Sequence, residues 1–304
     1  MKLSHLAGLA SLACIGAALA CGSSSNKGGG GEPDGGGGGE GGTLEGGGAE
    51  TGPAKLPYVG SVSADSTVAA TTTTHSLTGA FALASDAGAA GADGGTCLGT
   101  ESGSCCYVPP GTLAEAGAGD AGTTVSLVSA GTLSVTDGTT AVANITPGSN
   151  NGYAITSGTS NPSVTWNGGD MLTVSAAGAA VEAFSGKMTA VEDFAGLTPA
   201  LSYKTATTVP IASDLTISWT AGNGTTVHVL IDAVKGTTNE GTISCSAADS
   251  AHTVTVPSAL LGKFASGDTG LITLNRSSVT QVTGPNATVS LISTSTTGGT
   301  AKFQ

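Results

Sequence analysis

The sequence predicts an all-β protein carried behind a Gly-rich N-terminal tether, and three observations predict it. From Lys55 onward, apolar residues recur with a period of two in short runs punctuated by Gly, Asn, Asp and Pro. No stretch of ten or more residues there carries the 3.6-residue period of an amphipathic helix. Composition leans to Thr, Ser, Val and Gly with 10% charged and 4% aromatic residues, a mixture that suits strands and tight turns. Finally, residues 22–54 contain 16 glycines, broken by Glu32, Pro33, Asp34, Glu40, Glu45 and Glu50. Such a segment buries too little apolar surface to offset its chain entropy and is expected to stay disordered.

The N-terminus reads as an export signal. Lys2 precedes an apolar stretch from Leu6 to Leu19 that is too short to span a bilayer. It closes on Ala18-Leu19-Ala20-Cys21, where small residues ahead of a cysteine resemble the lipobox of bacterial lipoproteins. That resemblance implies acylation of the Cys21 thiol and cleavage before it, leaving the protein attached to a membrane through a lipid anchor. An ordinary signal peptide cut after Ala20 is the alternative. Cys14 is a rival acylation site, but cutting there shortens the apolar run and strands Ile15 to Ala20. Position 22 is Gly and not Asp, which by the same resemblance implies passage to the outer membrane or cell surface. Treated as a flexible coil, the 33-residue tether reaches roughly 30 Å on average and about 110 Å when fully stretched.

Strands are expected at Tyr58–Ser63, His75–Leu83, Cys105–Val108, Thr123–Val128, Gly131–Thr136, Ala141–Thr146 and Tyr153–Thr156. A hairpin is expected where Ser163–Trp166 and Met171–Ala176 flank the turn Asn167-Gly168-Gly169-Asp170. Alternation puts Trp166 beside Val164 on one face, so Trp166 is expected in the core and not as an exposed sugar-stacking platform. After a strand near Phe184, a clear period-2 series begins at Asp214. Leu215, Ile217 and Trp219 point one way; beyond the turn at 221–224, Val227, Val229 and Ile231 oppose His228, Leu230 and Asp232. Thr242–Ser246, Thr253–Val256, Leu271–Arg276, Val279–Thr283 and Thr288–Ser293 complete the set, with a helical turn or two after Pro257 limited by Gly262.

A buried Trp on an early strand and turns every eight to twelve residues make this second half resemble the immunoglobulin-like or fibronectin type III-like β-sandwich modules of bacterial surface lipoproteins. Trp219 sits where their core Trp sits. The Cys-Trp-Cys spacing of true immunoglobulin domains is absent. The expected organisation is a signal peptide at 1–20, a lipidated cysteine and tether at 21–54, a β-rich domain at 55–182 and a β-sandwich domain at 183–304. Whether the two β regions form two sandwiches or one elongated unit stays open.

Besides Cys14 and Cys21 the chain holds Cys97, Cys105, Cys106 and Cys245. In an exported protein these are disulfide candidates. A bridge between the neighbours Cys105 and Cys106 would be strained, so Cys97 is expected to close a short loop with one of them, leaving the other for Cys245 or free. No Cys-x-x-Cys or His-x-x-x-His spacing points to a metal. Asp86, Asp93, Glu101, Glu115 and Asp120 match no calcium-loop spacing and read as solvated loops.

A net charge of −12 with a single arginine, Arg276, argues against nucleic acid as a partner. His252 near Asp249 and Ser250 suggests a Ser-His-Asp set only on paper, and no Gly-x-Ser-x-Gly elbow occurs. Ser24–Lys27 fits Ser-x-x-Lys within the tether by chance, and Glu192 and Asp193 are adjacent carboxylates whose side chains diverge on a strand. The expectation is therefore a non-catalytic, lipid-anchored envelope protein without cofactor, presenting β-sandwich modules for structural, adhesive or recognition roles. An envelope polysaccharide or protein would be its ligand. The alternative is an anchored carbohydrate-binding module or small envelope hydrolase.

Overall fold

The computed structural model describes residues 56–69, 72–87, 97, 99–111 and 125–304. The expected signal peptide, Cys21 and the tether lie outside the described residues. The rest is nearly all β, arranged as one long mixed sheet covered in two places by smaller sheets.

Two strands organise it. The Thr269–Thr283 strand (β15) and the Ala287–Phe303 strand (β16) form an antiparallel hairpin paired from Thr269 with Lys302 to Thr283 with Thr288. At about 3.3 Å per residue the 17 residues of β16 span about 55 Å. Along the first part of β16 runs Tyr58–Ala69 (β1), parallel to it, and Thr207–Val209 (β10) pairs in parallel with the last part. Thr72–Leu83 (β2) and Tyr153–Thr156 (β7) extend the sheet beyond β1. On the other side, Thr226–Lys235 (β12), Thr238–Ala248 (β13), Cys105–Val108 (β4) and Thr100–Ser102 (β3) extend it beyond β15.

A four-stranded sheet lies over the β1, β2 and early β16 region. Its order is Thr140–Ile145 (β6), Leu133–Asp137 (β5), Met171–Ala176 (β8) and Phe184–Thr189 (β9). Val62, Ala64, Leu77, Phe81, Val289 and Leu291 from the long sheet meet Leu133, Val135, Leu172, Val174 and Phe184 in a first buried core. The layers approach closely at Gly186, where an added Cβ would fall 2.3 Å from Val282 Cγ2. A second core sits at the Phe303 end. There Val227, Val229, Ile231, Ile243, Ile272 and Leu274 pack against the pair Leu215–Ser218 (β11) and Thr253–Val256 (β14), and against the helical turn Ser258–Leu261 that follows Pro257. Each fully buried Val, Leu or Ile contributes about 1.5–3 kcal/mol relative to exposure.

The parity read from sequence holds in β11 and β12: Leu215, Ile217, Trp219, Val227, Val229 and Ile231 are buried, while His228 and Leu230 face solvent. The Trp166 hairpin requires correction. Val164 and Trp166 are buried as their alternation requires, but Ser163–Trp166 forms no ladder, and β8 pairs with β5 and β9 instead. The turn itself is present, with Asp170 N donating to Asn167 O at 3.1 Å and Gly169 at φ +91. The two runs expected at 271–276 and 279–283 are one continuous strand, and β16 extends ten residues past the expected end at Ser293. The expected division at 182/183 falls in the connection from β8 to β9, and the first core takes Phe184, Met188, Ala287, Val289 and Leu291 from beyond it.

Candidate functional site

The two cores meet at a buried ion pair. Arg276 sits on β15 with the same parity as Ile272 and Leu274, so its guanidinium enters the interior, where it is 1% exposed. There it faces Asp249, 0% exposed, at the start of a short 3-10 turn after β13. Arg276 Nε and Nη2 lie 3.1 Å from Asp249 Oδ1. Nη1 donates to the carbonyls of Glu192 (2.9 Å) and Asp193 (3.2 Å), and Nη2 to that of Thr220 (2.7 Å). Asp249 also accepts the Trp219 indole N–H on Oδ1 at 2.9 Å, and the Gly222 and Gly224 amides on Oδ2. The Phe194 ring stacks 4.5 Å from the guanidinium carbon. All five donors of the fork are matched, which is what an ion pair requires once removed from water.

Beside this knot opens a polar cleft of about 280 Å³, lined by Ser66 of β1, Thr73 and His75 of β2, Trp166 and Asn167 ahead of β8, and Asp193 after β9. Asp193 Oδ1 accepts the hydroxyls of Ser66 (2.9 Å) and Ser295 (2.8 Å), tying the segment after β9 to β1 and β16. Oδ2 has no hydrogen-bond partner among the described residues. The His75 and Trp166 rings meet edge to face, centroids 4.5 Å apart. Burial pushes the His75 imidazole below its ordinary value, against opposing pulls from the Asp193 charge and from a hydrogen bond to the Trp166 backbone. At neutral pH the ring is therefore uncharged.

Ser66, His75 and Asp193 do not form a nucleophilic triad. Ser66 donates its proton to Asp193 and not to the imidazole, so no base activates it. The set imagined around His252 fails too: Asp249 is committed to Arg276, and His252 Nδ1 accepts the Ala221 amide at 3.2 Å. Glu192 and Asp193 diverge as expected for neighbours: the Glu192 carboxylate lies by Gly222, where an added Cβ would fall 3.2 Å from Oε2, while the Asp193 carboxylate faces Ser66 and Ser295. Among the described residues, no group of three or more His, Cys, Asp or Glu could hold a metal ion.

The remaining sequence-predicted residues are placed as follows. Cys97 bridges Cys106, and Cys105 bridges Cys245, so the short loop and the long-range staple are both present. Cys105 lies directly opposite Cys245 in the β4–β13 ladder. Trp166 is 7% and Trp219 3% exposed. Cys21 lies outside the described residues, as do Asp93, Glu115 and Asp120, and Glu101 is exposed on β3. The cleft and the Arg276–Asp249 pair were not anticipated. Parity along β15 carried a signal for Arg276; nothing in the sequence linked residues 66, 75, 166 and 193. No family model matches the chain, and no curated protein matches it.

Proposed function

We propose that the protein is a non-catalytic, lipid-anchored component of a bacterial cell envelope, fixed through Cys21 and presenting its β structure outward on the Gly-rich tether. The observation that carries this reading is directional. β1 enters the long sheet at the Ala287 end of β16, whereas the second core lies toward Phe303. A chain held from upstream of Leu56 therefore carries the first core nearest its anchor and the disulfide-stapled core furthest away. The order β13-β12-β15-β16 facing β11-β14 supports an immunoglobulin-like module there, since it matches the C′CFG strands set over B and E. Burial of both tryptophans removes the aromatic platform that a polysaccharide-stacking surface would use.

Growth on labelled palmitate tests the anchor. The wild-type chain is expected to carry label and fractionate with membranes, and Cys21→Ser to lose both; an unlabelled wild type overturns the proposal. Brief protease treatment of intact cells tests the display, with the epitope at the Phe303 end expected to be accessible before permeabilisation.

A further inference from the structure

The cleft beside the ion pair has a chemistry that the display reading does not use. Its open polar atoms are acceptors, apart from the Thr73 hydroxyl, which can donate or accept. The Ser66 hydroxyl proton is already given to Asp193, and the Asn167 amide nitrogen is turned to Asp170 Oδ2 at 3.3 Å, which leaves the Asn167 carbonyl oxygen uncommitted. Burial disfavours the charged form of His75, and a neutral imidazole keeps one acceptor nitrogen. Asp193 adds a carboxylate oxygen without a partner, and Asp193 is the only charged side chain in the lining. Arg276 does not neutralise it: that cation is paired with Asp249 and reaches only the Asp193 carbonyl. A ligand that fits must therefore bring several donors and a positive charge. An ammonium group has three donors and no acceptor. The net charge of −12 draws cations toward the surface from a distance.

We propose that this cleft binds a primary ammonium group. Its volume of about 280 Å³ lies just below the usual range for drug-sized ligands, so it accommodates the ammonium and one short attached segment, such as an aminohexose ring or the end of a diamine, and not a long chain. The inference stands apart from the anchoring proposal, because binding by the purified mature chain does not depend on whether Cys21 is acylated.

Calorimetric or ligand-observed NMR titration of the full mature chain with glucosamine and with putrescine tests it, with glucose as the neutral counterpart. Both amines are expected to bind saturably at one site, and whichever binds more tightly identifies the source of the ammonium. Glucose is expected not to bind. Asp193→Asn, whose amide oxygen can still accept the Ser66 and Ser295 hydroxyls, is expected to weaken amine binding at least tenfold, whereas Glu182→Gln, outside the cleft, leaves it unchanged. Asn167→Asp, which adds a carboxylate to the lining, is expected to tighten it and provides an independent reading should Asp193→Asn not fold. Equal binding of glucose, absence of saturation up to about 10 mM amine, or amine affinity indifferent to both Asp193→Asn and Asn167→Asp overturns the proposal.

Discussion

Replacing Arg276 by Met removes one cation and leaves its surroundings without partners. Asp249, 0% exposed, loses its counter-ion and retains only the Trp219 indole and two glycine amides as donors. The carbonyls of Glu192, Asp193 and Thr220 lose the guanidinium that satisfied them. Removing one member of a buried pair costs about 3–5 kcal/mol. At about 2–4 °C per kcal/mol for a structure of this size, the melting temperature is expected to fall by about 6–20 °C. Arg276→Lys keeps the charge, but three ammonium donors cannot reproduce five contacts, so an intermediate loss is expected. In the double variant Asp249→Asn with Arg276→Met neither charge of the pair remains, so the loss should be smaller than the sum of the two single changes. Urea unfolding followed by near-ultraviolet circular dichroism reads both the midpoint and the environment of Trp219. A loss below about 1 kcal/mol for Arg276→Met, or strict additivity in the double variant, would refute the assignment of this pair as the joint between the cores.

Other outcomes follow from the same packing. The Cys105–Cys245 bridge closes a separation of 140 residues and Cys97–Cys106 one of 9, so loop-closure entropy assigns about 5 and about 2.6 kcal/mol to them; paired Ser variants melted under non-reducing conditions should show the larger drop for the first. Gly186→Val should destabilise by about 1–3 kcal/mol, because the branched side chain meets Val282 and Leu291 across the first core, whereas the same change at Gly138, with open space around it, should owe its cost to the positive φ alone. His75 is harder to protonate folded than unfolded, so below pH 6.5 the unfolded chain binds more protons and stability falls as pH drops. The slope is at most about 1.4 kcal/mol per pH unit, and His75→Asn should flatten it in denaturant titrations between pH 7 and 5.

The fold was legible where one strand face is buried and the other wet. Leu215 to Trp219 and Val227 to Ile231 alternate cleanly because only one side of each strand meets the second core. Legibility failed where burial is polar. Ser293 and Ser295 are 1% and 0% exposed, accepting the Val191 amide and donating to Asp193, so β16 looked as though it ended at Ser293 when it continues to Phe303. Val164 and Trp166 misled in the opposite sense: their alternation reports burial, which an extended segment achieves without pairing. The disulfides were partly readable, since strain between adjacent cysteines limited the choice, but only the β4–β13 register places Cys105 opposite Cys245. Residues 66, 75, 166 and 193 come from four separate segments, and no local period joins residues that only the tertiary packing brings together.

The Ala287–Phe303 strand is translated after every other strand among the described residues, yet it lies in the interior of the long sheet, between β15 and β1. Its pairing with β1 joins positions 229 residues apart, so the first core lacks Ala287, Val289 and Leu291, and the second Ala301 and Phe303, until β16 itself has been made. Closing so distant a contact is slow. A nascent chain halted short of Ala287 would expose the flanks of both neighbours as templates for aggregation, so a chaperone that holds it extended until β16 emerges would determine how much folded protein is recovered.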